Sequence, residues 1–506
     1  MKKKKIFPKD ILTLHPYDKT DRIDQYYAQI ANRVANVLYD SHLTEILEDN
    51  DEVCHVAIVL TAWFEDIITQ TGIWQSFTAE CKKRYGAYLP FYELNEDTYY
   101  PDEINLADVQ FLLWNYLQQL VLTEQFLNPE NPKIMSTSHS IYTIFEEEYE
   151  YAPENERLRT YLCSPEEIAP DDFYAYREIM EWFYVNSYFH PFGISTILEK
   201  YDEVMEEYEK NGDVNEEHMN KVLYQTRLNL IFEGRTEPLS LTTTEWFARF
   251  WSKSANSELF ANVKTRRFSS FLYLKEDDKY IYVRDLEGDG ATLNINKESL
   301  NISRNATIIK EKTILNCSLV YFGDSWWQYG ILSTNNYDNK IKEDIELKNL
   351  IKVGGREFNK IFTKVTNGNS AVFCKTKEEI KHFLFHEMKL NDSYRIEDWD
   401  ISEGRGAALF SIPNSTFYIQ TELYECIKSD DNPMYDEKIA SEDAWRFIID
   451  PDVIPYEYCC FLSDNGMLAD AQMNSLKGEA YGKAFFQKNI QFFMDYFHQS
   501  YREKDC

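Results

Sequence analysis

A chain of 506 residues is longer than one ordinary core organises, so it divides into more than one domain. Its 44% hydrophobic content is that of a globular chain, and 17 glycines with 15 prolines are too few for long disordered linkers. With 85 acidic against 53 basic residues the formal charge is −32, which repels nucleic acid and anionic membranes alike and leaves protein or small-molecule partners open.

The cysteines (Cys54, Cys81, Cys163, Cys317, Cys374, Cys426, Cys459, Cys460 and Cys506) are odd in number and scattered, with no C-x-x-C spacing. That pattern reads as reduced thiols rather than a disulfide framework. Lys2–Lys5 resembles the start of a signal peptide, but Pro8, Lys9 and Asp10 interrupt any apolar run behind it. The longest apolar stretches, such as Val56–Leu60 and Phe111–Trp114, fall far short of a membrane span. The expectation is a cytoplasmic protein that neither enters nor crosses a membrane.

In chain order, residues 1–235 read as a helical domain. Apolar residues recur at helical spacing in Asp24–Tyr39, Val53–Ile68 and Ile104–Phe126, the last with Asn105 as N-cap and Asp108 three residues on. Further helices fit Ser138–Tyr149, Phe173–Tyr188, Gly193–Tyr208 and Asn215–Phe232. Residues 236–262 form a connecting segment, with a turn at Leu239–Thr244 and a helix at Glu245–Trp251. Over 263–335 the period becomes extended: Phe271–Leu274, Tyr280–Asp285, Ala291–Ile295, Thr307–Lys310, Ile314–Phe322 and Gln328–Leu332 alternate with turn residues, predicting a small β-barrel-like domain. Residues 336–360 read as a polar linker. The remainder, 361–506, reads as an α+β unit: a strand at Ala371–Cys374, a helix at Lys377–Met388, a hairpin from Gly406–Ile412 and Thr416–Gln420, then helices at Ser441–Ile449 and Tyr481–Tyr501. The fold class expected is thus α+β and multidomain.

Four stretches carry a resemblance: "DILTLHPYDKTDRIDQYYAQIANRV" from Asp10, "LTAWFEDIITQTGIWQSF" from Leu60, "YGAYLPFYELNEDTYYPDEINLADVQFLLW" from Tyr85 and "EYAPENERL" from Glu150. Together with the looser "DNPMYDEKIA" from Asp431, they resemble an uncharacterised bacterial family, domain of unknown function 3843. That resemblance implies no activity.

Candidate sites are few. Glu65 and Asp66 lie in an apolar helix, where a buried acid serves as a general acid or base, or pairs with a buried arginine or a helix terminus. His382 and His386 stand one helical turn apart, a zinc-capable spacing. Phe383 and Phe385 occupy the positions where either zinc-protease motif needs glutamate, and on an α-helix Glu387 falls on another side. Asp285–Gly290 opens like a calcium loop, but Asn296 stands where the bidentate glutamate belongs, so a hairpin turn fits better. Gly354-Gly355-Arg356 and Gly404-Arg405-Gly406 lack phosphate-loop spacing. The best contact-site candidate is Trp326–Trp327 beside Asp324 and Tyr329. Strand alternation sends one indole inward and leaves the other as an exposed platform or packed on the helical half. Lys264, Arg266 and Arg267 just upstream form a local positive patch or pair with the acidic excess.

With no metal site or cofactor motif assigned, the leading expectation is a non-enzymatic binding or adaptor protein for a protein or small ligand. The alternatives are a hydrolase with a carboxylate or His/Asp site assembled between domains, and an acidic decoy of a nucleic-acid-binding partner.

Overall fold

The computed structural model describes residues 3–121, 126–163, 168–169, 172–210, 216–254, 257–258, 263, 266–300, 311–390, 406–412, 417–469 and 475–498. It is an α+β protein of two compact units, Met1–Asn339 and Lys340–Cys506. Among the described residues no helix is long and apolar enough to cross a membrane.

The first unit begins with a short α1 (Pro8–Ile11) and the helices α2 (Arg22–Tyr39), α3 (Asn50–Thr69), α4 (Ile73–Tyr85), α5 (Leu106–Val121), α6 (Pro132–Glu148) and α7 (Glu156–Cys163). Asp21 starts α2 through a capping box with Asp24, and Asp49 starts α3 in the same way with Glu52. The strongly apolar α3 is the central helix, as its composition predicts: Val56, Ala57, Leu60, Trp63 and Phe64 are fully buried, and α2, α4 and α5 pack around it. Next come α8 (Phe173–Asn186), α9 (Gly193–Lys210) and α10 (Glu216–Glu233). A two-residue ribbon, β1 (Arg235–Thr236) with β2 (Leu241–Thr242), leads into α11 (Thr243–Phe250), which Thr242 and Glu245 cap reciprocally. Of these helices, the short α1 and the longer α4 and α7 lie in stretches for which the sequence reading places no element.

Five strands complete the unit: β3 (Arg266–Glu276), β4 (Tyr280–Asp285), β5 (Thr292–Asn296), β6 (Thr313–Phe322) and β7 (Ser325–Asn336). Their ladder closes on itself in the order β3-β4-β5-β7-β6, antiparallel except for one parallel pair, Ile295 with Trp326. Alternate residues fill its interior, among them Phe271, Ile281, Val283, Leu293, Ile295, Leu319 and Trp326. The strand expected at Thr307–Lys310 lies outside the described residues.

On the outer side of this sheet, the Trp327 ring stacks on Phe173 of α8 at 5.2 Å. Tyr329 meets Phe232 of α10 at 4.6 Å, and Phe322 stacks on Tyr176 at 5.5 Å. The two tryptophans therefore do diverge, but neither is an exposed platform: Trp326 is 7% exposed and Trp327 1%. Two aromatic surfaces bury each other here, the apolar face of the helices and the outward face of β6 and β7.

A helix over Asn339–Val365 runs through most of the stretch read from sequence as a polar linker, 336–360. Gly354-Gly355-Arg356 falls inside that helix rather than in a loop. Each glycine costs a helix about 1 kcal/mol. Docking of the C-terminal half offsets that, with Phe358 on Phe417 at 4.5 Å and Phe362 on Phe383 at 5.5 Å. A three-stranded antiparallel sheet follows, ordered β10 (Tyr418–Gln420), β9 (Ala407–Phe410), β8 (Ala371–Cys374). The helices Glu437–Asp443, Arg446–Ile449 and Tyr456–Asp464 come next. The single terminal helix expected over 481–501 is instead two, Glu479–Lys488 and Ile490–Phe497. Asn489 breaks it, turning its side-chain amide back to the Phe485 carbonyl at 2.9 Å.

Candidate functional site

The turn between α3 and α4 is organised by Asp66. Its carboxylate accepts the Thr71 hydroxyl, the backbone N–H of Gly72 (3.1 Å) and of Trp74 (3.0 Å), and the Tyr188 hydroxyl (2.5 Å). Burial pushes this carboxyl upward, and the four donors oppose the push. Of the readings open for Asp66, the geometry matches the helix terminus: its carboxylate accepts backbone N–H groups at the start of α4. Gly72 has φ +90°, a left-handed backbone that glycine adopts without the strain a Cβ would bring, so it suits this turn.

Beside the turn lies an open cleft of about 760 Å³. One wall is Gln70–Gly72 with the outward face of α4, another is Leu162–Cys163 at the end of α7, and the third is Ala248–Ser254 at the end of α11. Beneath it Ile73, Leu162, Phe247 and Phe250 surround a small apolar hollow. Glu80, 6% exposed, is gripped by Arg84 Nε at 2.9 Å, Arg249 Nε at 3.0 Å and Lys83 Nζ at 3.6 Å. Burial would raise this carboxyl, but hydrogen bonds and charge from Arg249 and Arg84 hold it below the usual glutamate range. The Cys163 thiol donates to the Thr71 carbonyl at 3.4 Å. Burial and the Asp66 charge push that thiol up to about 11, which leaves it protonated and a weak nucleophile at neutral pH.

A second polar cluster is sealed inside the helices. His15 Nε2 lies 2.9 Å from Glu65 Oε2, and Nδ1 lies 3.2 Å from Asp24 Oδ1. Asn155 Nδ2 donates to Glu65 at 2.7 Å and to the Tyr17 hydroxyl at 2.6 Å, while the Arg157 guanidinium lies 3.4 Å over the Tyr17 ring. His15, Asp24, Glu65 and Asn155 are all buried, so this cluster ties segments together and offers no surface to a substrate.

The contact residues expected from sequence are not gathered at the cleft. Arg267 pairs with Asp285 at 3.2 Å and Asp289 at 2.8 Å and lies over Trp326 at 5.4 Å, so it serves the acidic excess. Arg266 stands on β3 opposite Val320, Tyr329 donates to Glu233 at 3.3 Å, and Tyr280 reaches Asp324 at 3.2 Å. Lys264 and Gly404–Arg405 lie outside the described residues. Asp285 accepts Glu287 N (3.2 Å) and Gly288 N (3.0 Å), the bonding of a hairpin turn.

At His382–Glu387 the helix widens into a π-turn. This corrects the expected geometry: the extra residue per turn brings Glu387 to 3.4 Å from His382 Nδ1 instead of placing it on another side. Even so, among the described residues no group of three or more His, Cys, Asp or Glu could hold a metal ion.

The cleft is not visible in the sequence reading because α4 and α7, which supply two of its three walls, are not read there as helices. A signal for α4 exists: Ile73, Trp74, Phe77 and Cys81 recur at helical spacing between Gly72 and Gly86, both left-handed.

These features define a two-unit α+β protein with a preformed cleft in its first unit. The family profile described as "Protein of unknown function (DUF3843)" matches residues 5–314 and 324–499, and the chain belongs to that family. No curated protein and no solved structure matches it.

Proposed function

We propose that the protein is a non-enzymatic cytoplasmic binding protein whose ligand seat is the cleft between α4, α7 and the end of α11. The observation that carries this reading is the cleft itself. At about 760 Å³ it suits a small organic molecule, with an apolar base and a polar rim. None of its described lining residues is a histidine, its one carboxylate is held by three cations, and its thiol is poorly ionised. Such a lining supports retention of a ligand more than proton transfer. The reading also takes the closed β3–β7 sheet as a small barrel that braces α8 and α10. The eight described cysteines are all free, in keeping with a reducing compartment.

The test is a thermal-shift screen of small metabolites on the full chain and on Ala79→Trp. Ala79 is an exposed position of α4 in the cleft wall, so the indole fills the cavity without disturbing the core. The expected result is a set of compounds that stabilise the parent and not the variant. Equal stabilisation of both by every hit would refute the reading.

A further inference from the structure

We infer that the ligand of this cleft is an amphipathic organic anion, with a carboxylate or phosphate group at the rim and an apolar body toward Leu162 and Phe250. The inference rests on the cleft being the ligand seat.

It follows from a local reversal of charge. The chain as a whole has 85 acids against 53 bases. The ionisable lining of the cleft holds a single acid, Glu80, against Lys83, Arg249 and Lys253. Glu80 is also satisfied from outside the lining by Arg84, so the positive excess in the wall is not consumed by it. Lys83 and Lys253 are exposed, one from α4 and the other from the segment after α11. Cys163 stays protonated at neutral pH and adds no negative charge. Asp66 carries a carboxyl close behind the wall, but it is enclosed by its four donors and does not line the cavity. A cleft of one sign in a molecule of the other concentrates counter-charged ligands against the general repulsion. The apolar base then selects among anions those with a hydrocarbon or aromatic body.

The probes are 1-anilinonaphthalene-8-sulfonate and its neutral counterpart N-phenyl-1-naphthylamine, followed by fluorescence with the full chain. Tighter binding of the anion, at least tenfold weaker in Lys83→Ala/Lys253→Ala and abolished in Ala79→Trp, is the expected result. The neutral probe should change less than twofold in the double variant. Displacement by benzoate and by phenyl phosphate then tells which acid group the rim prefers. If Ala79→Trp abolishes both probes while the double lysine variant changes neither, the cleft remains the seat and the anionic class is wrong. Undiminished anion binding to Ala79→Trp would overturn the seat itself. Both lysines are exposed, and circular dichroism of the variants separates lost binding from lost fold.

Discussion

His15 Nε2 sits 2.9 Å from Glu65 Oε2, joining the segment ahead of α2 to the C-terminal part of α3 across fifty residues of chain. Burial alone would lower the pKa of this imidazole from 6.5, but Glu65 and Asp24 outweigh it and push it up to about 9. Because the folded value is the higher one, the stabilisation is complete below pH 6.5 and is lost as pH rises through about 9. Its size is on the order of 3 kcal/mol. Melting temperature should therefore fall between those limits in the parent and fall much less in His15→Gln. Parallel curves would show that the pair does not titrate. Asp24 works in the opposite sense: despite burial, His15 lowers its carboxyl, so its contribution disappears as pH falls through the carboxylate range.

Asp66→Ala strips the acceptor from four donors at once, including the buried Tyr188 hydroxyl. A loss of about 4 kcal/mol in urea unfolding is expected, against about 1–2 kcal/mol for Tyr188→Phe. Near-equal losses would mean that the turn at Gly72 holds without its cap.

Trp327→Ala removes the largest side chain at the seam between the closed sheet and α8. The expected cost is about 3–5 kcal/mol. Tryptophan fluorescence during urea unfolding of the parent and the variant measures that cost. A cost below about 1 kcal/mol would deny the seam its role.

Cys163 should react slowly with iodoacetamide at pH 7. Its rate should climb about tenfold per pH unit toward the thiol's value of about 11. Peptide mapping by mass spectrometry follows the site. Labelling at pH 7 as fast as a free thiol would contradict the hydrogen bond to the Thr71 carbonyl and the raised thiol value.

Much of the fold is legible along the chain because its signals are local. The run Val53–Ile68 is apolar on nearly every side and becomes the central helix, and the alternation in Tyr280–Asp285 becomes β4 with Ile281 and Val283 inside. What stays hidden is non-local. No periodicity pairs Ile295 with Trp326 or tells that the outward side of Trp327 meets Phe173. An eight-residue helix such as α7, with Leu158 and Leu162 alone buried, gives a pattern too short to stand out. The π-turn at His382 is invisible to a rule built on 3.6 residues per turn. The cleft combines these difficulties, since its walls come from three separated segments.

Asp66 has a kinetic consequence. With the entry to α4 bolted to α3 and to Tyr188, the cleft wall is set before any ligand arrives. Filling it requires no prior rearrangement of that wall. Stopped-flow traces should then show one relaxation whose rate grows linearly with ligand concentration, without a slow phase that levels off.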